Sequence, residues 1–354
     1  MLSLLRPCSL SRIAGVYAAS RRLCSAEPTR AILEKHRTPT QGQWPRVLSV
    51  RLPCSLRIGP VDAMDADAVS VSLVGSPESP LRPTLKLGRE DDSLTLSMSG
   101  AESKDLDGLL CCVRLPAMLS TVLTHSVKVH LSGKAQATLE NLVLDQCRVT
   151  TEDGDIALSS IKTNKAELCT LDGWIRSKSL LQGHLSLTSK GSGGLEAQRL
   201  VGTSLEVSTS SGDQTVAAAY VERATMVSTG GNLRLGTLHS CSAALKTSSG
   251  SVSLGGLDGD CSLSTNSGDI HVVVVRTQNL DVDTNTGDVG VLLSSPHQVS
   301  VDADSVSSSL DASMTRAEPS GDVGRIAIRS RVGTVSLRKQ DWVSSLNLGA
   351  RGSS

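Results

Sequence analysis

Aspartates stand directly behind glycines that recur at a regular interval, at Asp155, Asp213, Asp269 and Asp288, with Asn232 and Ser251 in the equivalent place elsewhere. Carboxylates gathered on one edge could hold calcium, a hard cation that takes several oxygen ligands. The calcium-binding nonapeptide, with paired glycines and a terminal aliphatic, is missing, and Lys134, Trp174 and Ser192 interrupt the column. Gly-Asp is therefore read as turn chemistry, because aspartate bonds readily to nearby backbone amides. Asp62, Asp65 and Asp67 read as a solvated loop. The seven histidines, His36, His125, His130, His184, His239, His271 and His297, stand singly without metal spacing. His239-Ser240-Cys241 could become a base beside a nucleophile only if geometry brought the groups into hydrogen-bond reach. Gly191-Ser192-Gly193-Gly194 lacks the Gly-Lys-Ser/Thr ending of a phosphate loop. No residue is assigned a catalytic, cofactor-binding or metal-binding role, and no cofactor is implied.

The nine cysteines, at positions 8, 24, 54, 111, 112, 147, 169, 241 and 261, include no Cys-x-x-C pair. Most are expected to be buried apolar fillers. Cys111 and Cys112 would face opposite sides of a strand, so only one of them can enter a core.

What positions these residues is a repeat. Glycines recur at Gly154, Gly173, Gly191, Gly212, Gly231, Gly250, Gly268 and Gly287, at spacings of 19, 18, 21, 19, 19, 18 and 19. Three residues before each stands Thr or Ser: Thr151, Thr170, Thr188, Thr209, Ser228, Thr247, Thr265 and Thr284. In most copies aliphatic residues follow two and four positions behind the glycine, as in Ile156 and Leu158, and another precedes it by five. The expected unit is strand, glycine turn, strand, bend. Two short strands cannot bury an apolar face alone, but copies stacked in register close a continuous core. A parallel β-solenoid of about nineteen-residue coils follows, flattened in section, with glycine giving a positive φ at the corner. A sandwich or meander is the competing all-β arrangement. The gap from Gly287 to Gly333, which holds Ala317 to Gly321, breaks the period.

Upstream, Val47–Leu52, Val69–Leu73, Leu81–Gly88, Leu94–Met98 and Leu109–Leu115 alternate as half-buried strands, and Pro116 ends the last. Residues 1–26 carry Arg6, Arg12, Arg21 and Arg22, several serines and no acid, which is mitochondrial presequence composition; Arg21-Arg22-Leu23 resembles a matrix-protease site. The expected layout is presequence 1–26, linker 27–43, non-repeat β region and cap 44–126, repeats 127–340, and cap and tail 341–354. Trp44 to about Leu87 is expected to cover one end, and Arg331 to Leu348, with Arg338, Lys339 and Trp342, the other.

Ser-Gly-Asp-Ile at Ser267–Ile270, Ser-Gly-Asp at Ser211–Asp213, Thr-Gly-Asp-Val at Thr286–Val289 and Val113-Arg114-Leu115-Pro116 resemble the putative-adhesin β-solenoid domain, a family of unknown function common in bacteria. With the presequence in front, the whole chain is similar to a vertebrate protein of this kind. The resemblance covers roughly residues 45–340. It implies a β-helical fold and carries over no catalytic residue.

Composition narrows the function. With 35 Lys+Arg against 35 Asp+Glu, no Phe, two Tyr and three Trp, the chain lacks both the basic excess and the stacking platforms of a nucleic-acid binder. No run reaches the ~18 apolar residues of a membrane span. The leading expectation is a mitochondrial, matrix-located binding or scaffold module for a protein partner. The competitors are a β-helix enzyme acting on a glycan-like substrate and a secreted adhesin.

Overall fold

The computed structural model describes residues 30–39, 45–61, 68–77, 83–90, 92–100, 106, 108–116, 125–308 and 324–340. These residues form twenty strands and no helix, so none is long and apolar enough to cross a membrane as a helix. The strands are β1 (Ala31–Pro39), β2 (Val47–Leu52), β3 (Ser55–Pro60), β4 (Ala68–Gly75), β5 (Thr84–Glu90), β6 (Ser93–Ser99), β7 (Leu110–Leu115), β8 (Ser126–Leu131), β9 (Ala137–Thr151) and β10 (Ile156–Thr170). They continue as β11 (Ile175–Ser189), β12 (Leu195–Thr209), β13 (Gln214–Ser228), β14 (Leu233–Thr247), β15 (Val252–Ser267), β16 (Ile270–Arg276), β17 (Asn279–Thr286), β18 (Val289–Leu293), β19 (Gln298–Ser308) and β20 (Arg325–Lys339).

From β9 to β15 each strand pairs in parallel with the next, register advancing one coil at a time: Leu139 meets Leu158, Leu233 meets Val252. This is the expected parallel β-solenoid. Its cross-section differs from the expected flattened unit, because the fifteen residues of β10 bend twice. Ile156 and Leu158 face inward, Ser159 and Ser160 break the alternation, Ile161 and Thr163 face inward, and Asn164 and Lys165 break it again before Ala166, Leu168 and Thr170. Each coil thus has three short arms, here called first, second and third in chain order. Asn141 and Ser160, at φ 52° and 54°, take the left-handed conformation at the first bend.

The turn glycines stack, but mostly not for the expected reason. A Cβ on Gly173, Gly212, Gly231 or Gly250 would fall on the carbonyl of the glycine one coil before. Only Gly268, Gly287 and Gly333 among the turn glycines also have positive φ. In the third copy the column passes through Gly193, which lies under Gly173, rather than Gly191. The hydroxyl column correspondingly passes through Ser189, which is 2% exposed and donates to Gly173 O at 3.1 Å, rather than Thr188. The hydroxyls close their own turns, as where Gly173 N donates to Thr170 Oγ1 at 2.8 Å, and reach back one coil, as where Thr247 Oγ1 donates to Gly231 O at 3.0 Å. One apolar core runs from Leu48 to Leu337.

Neither end winds in chain order. β2 lies between β6 and β8, and β3 between β7 and β9, so residues 47–60 are stacked inside rather than capping. Antiparallel β4 and β1 extend one edge beyond β7, and β5 extends the other beyond β6. The stretch expected as a linker therefore contains β1, which Leu33 anchors on the core and Glu34 ties in by accepting Leu85 N–H at 2.9 Å. At the other end β20 inserts between β17–β18 and β19, placing Gly333 under Gly287 and restoring the period across the gap. Arg331, Arg338 and Lys339 thus belong to a stacked coil, with β19 beyond it. Trp44, Trp342, Asp62, Asp65, Asp67, residues 1–26, where a presequence is expected, and residues 341–354 lie outside the described residues.

Candidate functional site

The aspartates behind the repeat glycines are spent on the stack. Asp155 Oδ1 accepts Trp174 N–H at 2.8 Å, Asp213 Oδ1 accepts Asn232 N–H at 2.9 Å, and Asp269 Oδ1 accepts Asp288 N–H at 2.9 Å. Asn232 Oδ1 does the same for Ser251 N–H at 2.9 Å. Arg176 and Arg234 engage the second oxygens of Asp155 and Asp213. Burial alone would raise the Asp213 carboxyl, but Asn232 and Arg234 hold it below the usual range. Side chains thus link successive coils, which supports the turn-chemistry reading. The Gly191–Gly194 turn is likewise filled from within: Asp172 Oδ1 accepts both Ser192 N–H, at 2.6 Å, and Ser192 Oγ–H, at 2.7 Å. The Trp174 ring packs where a Cβ on Gly194 would stand.

The cysteines divide by face. Cys54, Cys111, Cys147 and Cys261 are buried fillers, as expected; Cys112 and Cys169 are half-buried and Cys241 is exposed. Cys111 alone of the adjacent pair enters the core. Burial pushes the thiols of Cys54, Cys147 and Cys261 up to about 12 and that of Cys111 up as well. Since the thiolate is the reacting form, iodoacetamide added to the native protein should modify Cys241 first among the described cysteines, with those four reacting only on unfolding. Peptide mapping reads this, and early modification of Cys147 would contradict the assigned register.

A groove of about 670 Å³ opens on the second arm of coils β13 to β16. Register places Tyr220, His239, Asp258 and Arg276 in one row, one residue from each coil. The Tyr220 and His239 rings stack with centroids 4.9 Å apart and planes 11° from parallel. His239 Nδ1 lies 3.0 Å from Asp258 Oδ2, and Arg276 Nε donates to Asp258 Oδ1 at 2.8 Å. Glu222, Cys241 and Asp260 line the groove beside this row. Asp260 accepts the backbone N–H groups of Gln278, at 3.0 Å, and Asn279, at 2.8 Å. The Arg276 guanidinium, with His239 after it, holds the Asp258 carboxyl below the usual range against a partial desolvation. Burial would raise Asp260, but the amides of Asn279 and Gln278 hold it low. Ser240 Oγ is buried beneath without a hydrogen-bond partner.

Of the sequence candidates, His239, Ser240 and Cys241 therefore do meet in one groove. No hydrogen bond joins Cys241 to His239, whose ring is held instead by Asp258 and Tyr220. Among the described residues, no group of three or more His, Cys, Asp or Glu gathers as metal ligands. Sequence reasoning missed Tyr220, Asp258 and Arg276. They share the repeat spacing with His239, but they are four different residue types, so they form no visible column.

Residues 182–331, which include the whole groove, match the family described as Toastrack DUF4097. Among solved structures, the chain is similar to the "putative lipid binding protein" of Parabacteroides distasonis, at 14% identity and TM-score 0.40, covering 87% of this chain and 96% of that one. It is also similar to a "putative adhesin" of Parabacteroides merdae, at 12% identity and TM-score 0.37, covering 87% and 96%. A third match is a "putative adhesin" of Bacteroides fragilis, at 12% identity and TM-score 0.31, covering 88% and 99%.

Proposed function

We propose that this chain is a binding module whose second-arm groove engages a protein partner, and that it works in the mitochondrial matrix. The observation that supports the reading is the Tyr220–His239–Asp258–Arg276 row, a rigid strip one side chain wide lying across stacked coils. Tyrosine and arginine are the residues that most often anchor interfaces, and both ends of the row remain exposed, Tyr220 at 42% and the Arg276 side chain at 80%. Next to them Glu222 and the paired charges give a surface of mixed sign, suited to a polypeptide with its own mixed charges. The alternative of a β-helix enzyme acting on a glycan-like substrate would, in its hydrolase form, need one carboxyl held protonated near neutrality as the general acid. Asp258 and Asp260 are both shifted the other way. The matrix location is supported by the arginine-rich, acid-free first 26 residues.

Two linked measurements test this. Import of the full chain into isolated mitochondria should give a protease-protected product that depends on membrane potential; its absence would return the secreted-adhesin reading. In the organelle, a photo-crosslinking residue at position 222 should yield a discrete adduct. Tyr220→Ala with Arg276→Ala should abolish that adduct, the pair being expected to weaken binding about 30-fold or more. An adduct that survives the double variant, or one equally strong from position 215 on the first arm, would exclude the groove.

A further inference from the structure

The outer face of the third arm is electrically polarised, although the chain as a whole has no net charge. At its amino-terminal end, strands β5, β6, β2, β8 and β9 lie side by side. Their register aligns Lys86, Ser97, Arg51, His130 and Thr150 in one row, and Gly88, Thr95, Ser49, Lys128 and Arg148 in the next. A cleft of about 490 Å³ opens between the long side chains, with Ser49, Arg51, Lys128, His130, Arg148 and Thr150 around it and Val50 and Val129 in its floor. At the far end of the same face the rows carry Asp281, Asp283 and Asp302 around a single arginine, Arg329.

Neighbouring strands are about 4.8 Å apart, and alternate residues on a strand about 7 Å. Arg51, His130, Lys128 and Arg148 therefore project from the corners of one small patch. Like charges on adjacent strands destabilise a sheet unless something neutralises them. Elsewhere this fold does so with its own carboxylates, as Asp155 does for Arg176 and Asp258 for Arg276. Here, among the described residues, Arg51 and Lys128 have no ion pair, and Arg148 meets only Glu167 on the flank, at 3.5 Å between side chains 66% and 36% exposed. The patch has guanidinium forks, an ammonium group and hydroxyls converging on one cleft; its apolar residues, Val50 and Val129, are buried in the floor, and no Phe, Tyr or Trp lines it. A compact oxyanion satisfies such a donor set.

We infer that the Arg51–Lys128–His130–Arg148 cleft is a phosphate-binding site, which takes either a free phosphate group or the phosphate of an anionic lipid headgroup. It lies on a different arm and on different coils from the Tyr220 groove, so neither reading depends on the other. The test uses the full chain with vesicles of phosphatidylcholine doped with phosphatidylglycerol, and separately with inorganic phosphate against chloride at equal ionic strength. Because the arginines of residues 1–26 would also attract anionic vesicles, the readout is the difference between wild type and variant. Lys128→Glu with Arg148→Glu should weaken vesicle binding about 30-fold or more, from ~1 kcal/mol per basic residue at an anionic surface. Lys246→Glu, further along the same face, should leave it unchanged. Vesicle binding that inorganic phosphate does not displace assigns the site to a headgroup, whereas thermal stabilisation of wild type, but not of the variant, by inorganic phosphate assigns it to the free anion. If the folded double variant matches wild type in both arms, and Arg51→Gln with His130→Gln does too, the inference is wrong.

Discussion

Alanine at position 231 is expected to destabilise the solenoid by about 3 kcal/mol or more, while alanine at position 230 changes stability by no more than about 0.5 kcal/mol. Both are single methyl additions on one turn, one residue apart, so composition and unfolded-state effects nearly cancel between them. The difference lies in what the methyl meets. At Gly231 it would lie on the carbonyl of Gly212, with the Gly212 carbon and the Asp213 nitrogen close behind. All are backbone atoms fixed by the ladder, and none can rotate away as a side chain could. Relief requires the two coils to separate at the corner, which lengthens the bond from Gly231 N to Ser228 Oγ, now 2.8 Å, and the one from Thr247 Oγ1 to Gly231 O, now 3.0 Å. At Gly230 the nearest atom is 3.7 Å away, ordinary contact distance. Urea midpoints of the two variants check this. Equal shifts would mean that the glycine column is not the line along which coils touch.

The same column explains how much of the molecule is legible in its sequence. A position where every coil must carry the smallest residue repeats a residue type, and repetition of type is what a sequence displays. Even so, its physical cause was legible only in part, because positive φ applies at Gly268, Gly287 and Gly333 and close approach applies along the whole column. Lys190-Gly191-Ser192-Gly193-Gly194 offers more than one glycine for a single place, and the threonine three residues before, Thr188, favours the wrong one, Gly191. Only the stacking of Gly193 under Gly173 settles the extra residue in that turn. The second and third arms were hidden because their bends use no constant residue: Asn141 and Ser160 turn one corner, while Gly183 and Gly259 serve another with Ser240 between them. A groove assembled from tyrosine, histidine, aspartate and arginine at the same phase is invisible for that reason. Alternation also identifies β2, β6 and β7 as strands but says nothing of their neighbours, so the insertion of β2–β3 and of β20 between other strands had no sequence signal.

That insertion leads to the other large expected effect. A chain ending at Gly324 should lose ordered structure through β17, β18 and β19 and should associate, although only β20 and the residues after it are removed. β20 contributes Ile326, Ile328, Val335 and Leu337, each no more than 4% exposed. At about 1.5–3 kcal/mol for each buried aliphatic side chain, these four alone amount to ~6–12 kcal/mol, comparable with the net stability of a whole domain. The backbone consequences reach further than the side chains. Gly287 N–H donates to Val332 O at 3.0 Å, and Gln340 N–H donates to Leu293 O at 2.9 Å, so β17 and β18 would each present an unpaired edge. β19 pairs with β20 and with no other described strand, and its Val299, Val301 and Ala303 rest on the core only while β20 holds it there. In a stack where each coil contacts only its neighbours, loss should be confined to the coil that β20 covered, leaving β9 to β15 folded. Open strand edges then pair between molecules. Hydrogen exchange with light scattering separates the possibilities: protection should vanish from residues 279–308, persist in 137–267, and be accompanied by a rise in mass. A monomeric truncated chain in which residues 298–308 stay protected would show that β19 docks without β20 and would overturn the strand order assigned to this end of the molecule.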